Sequence, residues 1–192
     1  MKFELRRQML HLSGIVFVIF AQFVGREAAI VYFFLIAVFF FLYSWYIRRE
    51  EKRLEGFLGR FESKFRDFTM QFERKGANPF TGALFFYTGC TLAFVFFPFP
   101  VASAACAMLS VGDALSTLIG KKFGKRKIGN KTFEGSLACF LGSLIAGAFF
   151  VNPYLAVAGA VAAALAELVP RVDDNLTIPL ASGLVMFLIT LV

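Results

Sequence analysis

Cysteine is scarce in this sequence, and its three residues lie far apart. Cys90, Cys106 and Cys139 each stand alone within an apolar segment. Disulfide frameworks and cysteine metal sites need paired or closely spaced cysteines, so this scatter excludes both kinds of site. A signal-peptide cleavage site is also lacking, because the apolar run after Arg7 continues to Val24 without a small-residue pattern.

Charged residues are also few, and most of the sequence is apolar. Only 17% of residues are charged, whereas 58% are hydrophobic and 27 are Phe. The mean hydropathy is +0.71. Soluble domains are about 45–50% apolar. The composition therefore predicts a single integral-membrane domain over residues 1–192, with many phenylalanines facing lipid.

Seven apolar segments are long enough to cross a bilayer as helices, which takes about 20 residues each. Three of their connections are very short and contain Gly or Pro, which end helices and favour tight hairpins. We therefore predict an all-α, polytopic membrane helix bundle. The predicted spans are residues 8–24, 28–47, 79–97, 100–120, 134–151, 153–169 and 176–192.

Basic residues orient this predicted bundle. A cytoplasmic N-terminus places 19 of the 20 Lys and Arg residues on the cytoplasmic side and leaves only Arg26 outside. Cytoplasmic loops of membrane proteins carry such an excess. The net charge of +7 then reflects topology, so no nucleic-acid partner is expected. The host membrane is a prokaryotic plasma membrane or the endoplasmic reticulum.

One cytoplasmic segment, at about 48–76, has the pattern of an amphipathic helix. Its apolar residues recur every three or four positions and form one stripe opposite a charged face. An interfacial helix that guides a lipid substrate is one interpretation. A helix that packs on the bundle is the other. The stripe comprises Leu54, Phe57, Leu58, Phe61, Phe65, Phe68 and Phe72.

An acid stands inside the fourth predicted span. Asp113 lies about seven residues before the cytoplasmic end, hence about 10 Å deep. A carboxylate at that depth is costly and usually has a function, so Asp113 is a candidate catalytic base or metal ligand. A buried acid that joins helices by hydrogen bonds is the alternative.

A basic loop without acids follows this span. Its segment Gly124–Thr132, GKRKIGNKT, resembles a Walker A string with one residue too many, and it follows a helix, which argues against a P-loop fold. Glycine amides, lysines and the start of a helix still suit a polyphosphate. Lys121 has a second interpretation as a topology signal. The candidate nucleotide-binding residues are Lys121, Lys125, Lys127, Gly129, Asn130, Lys131, Thr132, Gly135 and Asn175.

Glu134 follows this loop in the first turn of the next predicted span. It either caps that helix or orients a metal or phosphate site. With Asp113 and Lys131, it is a catalytic candidate.

A second acidic cluster precedes the last span, with Glu167 upstream and Asp173, Asp174 and Asn175 together. Oxygen ligands of this kind suit Mg²⁺, which normally adds substrate phosphates and water. The predicted metal ligands are Asp113, Asp173 and Asp174. Capping by Asp174 or Asn175, with Pro179 in the first turn, is the alternative.

The N-terminal run from Glu4 to His11 places Glu4, Arg7 and His11 on one helical face at the same membrane side. We take Arg7 and His11, with Glu167, as candidate substrate contacts. His11 is the single histidine, and a packing role is its alternative.

Three blocks of the sequence together resemble a known family. GDALSTLIGKKFGK, KIGNKTFEGS and AELVPRVDDNLTIPL are similar to the CTP-dependent lipid-alcohol kinases, namely dolichol kinases, phytol kinases and CTP-dependent diacylglycerol kinases. The N-terminal run also resembles that family, except that Gln8 replaces a lysine of its pattern. The resemblance implies site residues Asp113, Lys131, Thr132, Glu134, Gly135, Asp173, Asp174 and Asn175.

The predicted function is therefore a kinase that transfers phosphate from CTP, with Mg²⁺, to the hydroxyl of a membrane lipid alcohol at the cytoplasmic face. Two alternatives remain. A cytidylyltransferase acting on a lipid phosphate needs the same nucleotide, metal and lipid. A transporter needs polar residues along several helices, and the span 28–47 has almost none.

Overall fold

The computed structural model of the chain is a bundle of helices with one small β-hairpin. It describes residues 2–49, 56–70, 80–169 and 173–192. The all-α class is confirmed apart from the hairpin. The helices are α1 (Lys2–Val24), α2 (Arg26–Arg48), α3 (Gly56–Met70), α4 (Thr81–Phe96), α5 (Phe99–Met108), α6 (Ala114–Phe123), α7 (Phe133–Gly147), α8 (Pro153–Glu167) and α9 (Asp174–Thr190).

Within the described residues, three helical stretches are long and apolar enough to cross a membrane: Glu4–Val24, Arg26–Arg48 and Phe99–Phe123. The apolar helices α4, α7, α8 and α9 have 15 to 17 residues each. At 1.5 Å per residue they reach about 22–26 Å, less than a hydrocarbon core of about 30 Å. The structure thus has the helices of a membrane protein, and seven crossings stay a prediction.

Small residues are frequent at the centre of the bundle, beside a few large ones such as Phe33 and Phe94, and many large apolar residues are exposed on its outside. In α5 every residue from Val101 to Met108 is buried. Phe23 and Phe149 are each 82% exposed. Tight packing of small side chains, with aromatic rings outside, is typical of helices that associate in lipid.

A π-helical turn, Leu109–Asp113, joins α5 to α6 within one continuous helical stretch. A π turn is wider than an α turn and is often found at functional sites. A Cβ on Gly112 would lie 2.2 Å from Ser143 Oγ of α7. Glycine is therefore needed where this turn meets α7, and the contact fixes the orientation of the following residue, Asp113.

Helix α3 corresponds to the middle of the predicted amphipathic helix at 48–76, while residues 50–55 and 71–76 lie outside the described residues. Phe65 packs against Phe39 and Tyr43 of α2. Tyr43 Oη also donates a hydrogen bond to Glu62 at 3.3 Å. Phe61 and Phe68 are exposed. One side of α3 thus packs on α2, and the other presents aromatic rings.

The basic loop contains a β-hairpin that the sequence analysis did not predict. Strand β1 (Lys127–Ile128) pairs antiparallel with β2 (Lys131–Thr132). Gly129 has φ +57°, the left-handed conformation that a two-residue turn of type II′ requires at its first position. The hairpin delivers Lys131 directly to the start of α7.

Candidate active site

Asp113 lies at the end of the π turn and is buried, with 8% of the residue exposed. His11 Nε2 of α1 lies 3.3 Å from Asp113 Oδ2. This nitrogen is buried and forms no hydrogen bond. The His11 ring packs edge-on against Phe86 at 5.0 Å between centroids. The structure therefore brings the single histidine to the membrane-embedded acid.

Two glycines let α6 and α7 approach closely beside Lys131. A Cβ on Gly120 would lie 3.0 Å from Thr132 Oγ1, and one on Gly135 would lie 3.0 Å from the Ser116 carbonyl oxygen. Thr132 is the N-cap of α7 and accepts a hydrogen bond from the Gly135 amide at 3.1 Å. This crossing directs Lys131 towards the acids of α8 and α9.

Lys131 connects two carboxylates from separate helices. Its Nζ lies 2.9 Å from Glu167 Oε1 and 2.7 Å from Asp174 Oδ2. Glu167 is 1% exposed and also accepts hydrogen bonds from Ser116 at 2.6 Å and Ser136 at 3.1 Å. The cluster thus ties α6, α7, α8 and α9 together around one ammonium group.

The pKa shifts show how the charges balance in this cluster. Burial alone would lower the pKa of Lys131, but hydrogen bonds to Asp174 and Glu167 offset it and raise the pKa above its usual value. Burial raises the pKa of Asp174 to about 6, and Lys131 offsets only part of that effect. The nearby Asp113 and Glu167 raise it further. Lys131 is therefore stabilised as a cation by the two acids, while burial disfavours the charged form of Asp174.

The start of α9 differs from the predicted cap. Asp173, and not Asp174 or Asn175, is the N-cap, and it accepts a hydrogen bond from the Asn175 amide at 3.0 Å. Pro179 lies inside the helix and not in its first turn. Since proline has no N–H, the Asn175 carbonyl has no partner four residues on. A Cβ on Gly89 of α4 would lie 2.2 Å from that carbonyl oxygen.

The N-terminal part of α1 is held to α6 by ion pairs. Glu4 pairs with Lys121, and Arg7 Nη2 lies 3.0 Å from Glu4 Oε1. Gln8 Nε2 donates to the same oxygen at 3.3 Å. These contacts place Arg7 and His11 beside the acids of the other helices, and they engage the charge of Lys121 with a carboxylate.

The clusters line one cavity of about 840 Å³. It brings together residues that are more than 100 positions apart in the chain. Most of the predicted site residues are among its lining: Arg7, His11, Asp113, Lys121, Asn130, Lys131, Thr132, Gly135, Glu167, Asp173, Asp174 and Asn175.

Four predicted residues do not line this cavity: Glu134, Lys125, Lys127 and Gly129. The Glu134 carboxylate accepts hydrogen bonds from the amides of Lys125 at 3.0 Å and Arg126 at 3.3 Å. Its position fits a residue that shapes the loop better than one at the reacting atoms. Lys127 and Gly129 are exposed in the hairpin.

The backbone amides at the start of α7 are already engaged, which differs from the predicted amide cradle for phosphate. Phe133 N donates to the Arg126 carbonyl at 2.8 Å, and Gly135 N donates to Thr132. The Lys125 and Arg126 amides bind Glu134. These four amides are therefore not free to bind phosphate, whereas the side-chain cations and Asn130 of this loop can meet an anion.

A preformed metal cluster of Asp113, Asp173 and Asp174 is not found. Within the ranges that the structure describes, no group of three or more His, Cys, Asp or Glu side chains is placed to hold a metal ion. The reason is local: Asp173 caps α9 and Asp174 binds Lys131.

Sequence reasoning missed several residues of the site and of its support. Ser136 does not line the cavity but donates a hydrogen bond to Glu167, although it appears in the sequence as an ordinary small residue within a span. Gly14, Gly82, Phe86 and Tyr87 line the cavity's apolar part. Neither aromatic residues nor glycines stand out in a chain with 27 Phe and 16 Gly. The glycine of KTFEGS next to Ser136 was the available signal, since small residues mark close helix contacts.

Comparison with known proteins gives distant relatives. An uncharacterised protein of Rickettsia prowazekii is 29% identical over 189 residues, 93% of this chain and 91% of that protein. A chloroplastic farnesol kinase of Arabidopsis thaliana is 32% identical over 130 residues, 56% of this chain and 42% of the kinase. CTP-dependent diacylglycerol kinase 1 of Schizosaccharomyces pombe is 29% identical over 134 residues, 58% of this chain and 62% of that kinase.

These matches support the resemblance to CTP-dependent lipid kinases, while the dolichol kinases stay a prediction. The chain spans less than two thirds of the length of the two named kinases. No family model matches it, and no solved structure matches it.

Proposed function

We propose that this protein transfers the terminal phosphoryl group of CTP to the hydroxyl of a membrane lipid alcohol at the cytoplasmic face. One observation carries the proposal: Asp113, Lys131, Glu167 and Asp174, from distant parts of the chain, line a single cavity. Relatives named as a farnesol kinase and a CTP-dependent diacylglycerol kinase support the donor and the acceptor class.

Lys131 is the proposed contact to the transferred phosphate. Phosphoryl transfer depends on positioning and on neutralising charge more than on covalent chemistry. The Lys131 ammonium is cationic, faces the cavity and is held by two acids at its tip. Asn130 and Arg7 line the same cavity and supply further donors for phosphate oxygens.

Asp113 is the proposed acceptor of the hydroxyl proton. It is buried in the part of the cavity where α1 meets α6, away from the exposed hairpin. A base must come within hydrogen-bond distance of the proton that it takes. His11 at 3.3 Å can orient this carboxylate or the incoming hydroxyl.

Mg²⁺ fits the oxygen groups at the start of α9. Asn175 Oδ1 is buried and has no hydrogen-bond partner among the described residues, and Asn175 lines the cavity with Asp173 and Asp174. Carboxylate and amide oxygens are hard ligands, and Mg²⁺ takes one or two carboxylates plus phosphates and waters. Asp173, Asp174 and Asn175 would hold the ion, which when bound neutralises charge on the phosphates. These residues can hold the ion without the predicted cluster of Asp113, Asp173 and Asp174.

The orientation is part of the proposal. The cavity is lined by the N-terminal turns of α1 and by the basic hairpin, so one end of the bundle carries both. That end faces the cytoplasm if the excess of basic residues sets the topology. The chain would then act as one catalytic domain whose substrate hydroxyl lies at headgroup depth.

A labelled-nucleotide assay tests the proposal. The purified protein in lipid vesicles is given Mg²⁺, CTP or ATP labelled on the γ-phosphate, and a set of lipid alcohols. We expect label from CTP in the lipid and loss of that label in Asp113→Asn. Release of pyrophosphate in place of CDP would instead establish the cytidylyltransferase, and lipid that stays unlabelled with every alcohol would overturn the kinase.

A further inference from the structure

The cavity extends beyond its charged residues into an apolar part between α1 and α4. Leu10 and Gly14 of α1 line this part with Ala83 and Phe86 of α4, and Phe40 of α2 adds to its wall. The change from acids to aromatic rings is abrupt, because the Phe86 ring packs directly on His11. The cavity therefore has a polar end and an apolar end that meet beside Asp113.

The apolar end reaches the surface of the bundle. Leu10 and Ser13 on α1 and Gly82 on α4 line the cavity and are also exposed. Residues that line the cavity and are also exposed at the protein surface mark an opening of the cavity. The surface of α1 next to it is apolar, with Met9 62% and Val16 61% exposed. An exposed apolar surface of this kind faces lipid in a membrane protein.

We propose that the hydrocarbon chain of the substrate alcohol passes through this opening between α1 and α4 into the bilayer. The inference rests on the proposed function and adds the path along which the hydrocarbon chain of the substrate binds. With the hydroxyl at Asp113, the first carbons contact Phe86 and Phe40. The rest of the chain leaves past Leu10 and Gly82 and stays in lipid, so the alcohol never has to leave the membrane.

A hydrocarbon is the occupant that this part of the cavity fits. Phe86, Phe40 and Leu10 are apolar, and burying a chain against them removes apolar surface from water. A phosphate would lie against rings that offer no charge. The cations and acids that suit phosphate lie at the other end of the cavity. The nucleotide and the hydrocarbon chain would therefore bind at opposite ends.

Gly82 and Gly14 set the width of the path in different ways. A Cβ on Gly14 would lie 2.3 Å from Phe86 Cζ, so substitution there moves a ring of the site itself. Among the described residues, nothing lies within 4 Å of a Cβ on Gly82, which is in the first turn of α4. A side chain can therefore be added at Gly82 without a clash of its Cβ with these residues, and a large one narrows the opening.

The test compares Gly82→Phe with Ala28→Phe, which adds the same ring to an exposed residue at the start of α2. Each full-length variant in vesicles receives Mg²⁺, CTP and either a long isoprenoid alcohol or a short water-soluble analogue with the same primary hydroxyl. We expect Gly82→Phe to lower the ratio of kcat/KM for long over short alcohol about tenfold, since the ring displaces about two methylene groups of the chain. Ala28→Phe should leave the ratio as in the parent.

Cross-linking gives a second readout that does not depend on turnover. A long-chain alcohol with a photoreactive group near its hydroxyl is expected to attach to α1 and α4 residues of the path, and Gly82→Phe should reduce that yield. If the unsubstituted protein transfers labelled phosphate to no alcohol, the kinase proposal fails. The cross-links alone then decide whether the hydrocarbon chain binds between α1 and α4. Three results would overturn this binding path. They are an unchanged ratio of kcat/KM in Gly82→Phe, an equal loss of kcat/KM with both alcohols, or cross-links only outside α1 and α4.

Discussion

At the residue scale, the site depends on how one lysine is shared between two buried acids. Lys131 has 31% of its side chain exposed, whereas Glu167 is 1% exposed and takes two further serine hydroxyls. Removing one partner of a buried charge pair leaves the other uncompensated, which costs far more than losing a surface pair. Lys131 therefore stabilises the junction of α8 and α9 and also presents its charge to the cavity.

We predict that Lys131→Met lowers kcat about 100-fold or more, the usual cost of removing one donor to a developing negative charge. The variant should also unfold at lower temperature, because Glu167 loses its ammonium partner. Labelled phosphate in the lipid and thermal unfolding measure the two effects. Lys122→Met, the same change at an exposed lysine in the last turn of α6, is the control. Full turnover in Lys131→Met at saturating CTP and Mg²⁺ would remove the phosphate contact.

At the scale of elements, glycine and proline decide how closely the helices meet. Pro179 leaves the Asn175 carbonyl without its helical donor, and Gly89 allows α4 to lie against that oxygen. The same rule holds where Gly120 and Gly135 let α6 and α7 cross beside Thr132. These contacts place the acids and Lys131, so the geometry of the site is a result of backbone packing.

The same substitution at two glycines of α4 tests this packing. Gly89→Ala should destabilise the protein by about 1–3 kcal/mol, since its Cβ would lie against backbone that has no room to move. Gly82→Ala meets nothing within 4 Å and should be neutral or stabilising by about 0.5–1 kcal/mol through helix propensity. Denaturant unfolding in detergent measures both. Equal stability of the two variants would contradict the close contact at Asn175.

The hairpin loop gives a second prediction at this scale. In Glu134→Ala the Lys125 and Arg126 amides lose their acceptor, so the loop that carries Lys131 loosens. We expect the KM for CTP to rise several-fold with a smaller effect on kcat, because Glu134 does not line the cavity. A large loss of kcat at unchanged KM would instead place Glu134 at the reacting atoms.

At the scale of the whole molecule, all of the site faces one end of the bundle. The opposite end holds Arg26, whose guanidinium donates to the carbonyls of Phe94 at 2.9 Å and Val95 at 3.0 Å. These are the last carbonyls of α4, which favour a cation. The basic residue that the proposed topology places outside thus has a structural role of its own, which is consistent with an orientation set by the remaining basic residues.

We predict that Lys122→Cys is labelled by a membrane-impermeant thiol reagent only from the cytoplasmic side, and Ala28→Cys only from the other side. The three native cysteines are buried, so the background should be low. Intact and opened cells supply the two conditions. Labelling of both positions from the same side would contradict an odd number of crossings between them.

The class of fold and the charged residues of the cavity could be predicted from the sequence, for separate physical reasons. A bilayer imposes long apolar segments, and an acid such as Asp113 within one of them is conspicuous. The roles inside the cavity were not readable, because they depend on contacts between distant segments. Asp173 caps α9, Glu134 binds loop amides, and Ser136 holds Glu167. The hairpin escaped prediction since its strands have only two residues each.

The π turn at Leu109–Asp113 holds one more residue than an α turn would, which makes it equivalent to a one-residue insertion into a regular helix. Losing that residue would turn everything from Ala114 onward by about 100° about the helix axis. Ser116 and Gly120 would then swing away from Glu167 and Thr132 while the hydrophobic length of the stretch barely changed. A single-codon deletion here would therefore leave a protein that still inserts into its membrane but whose site residues on α6 no longer face their partners.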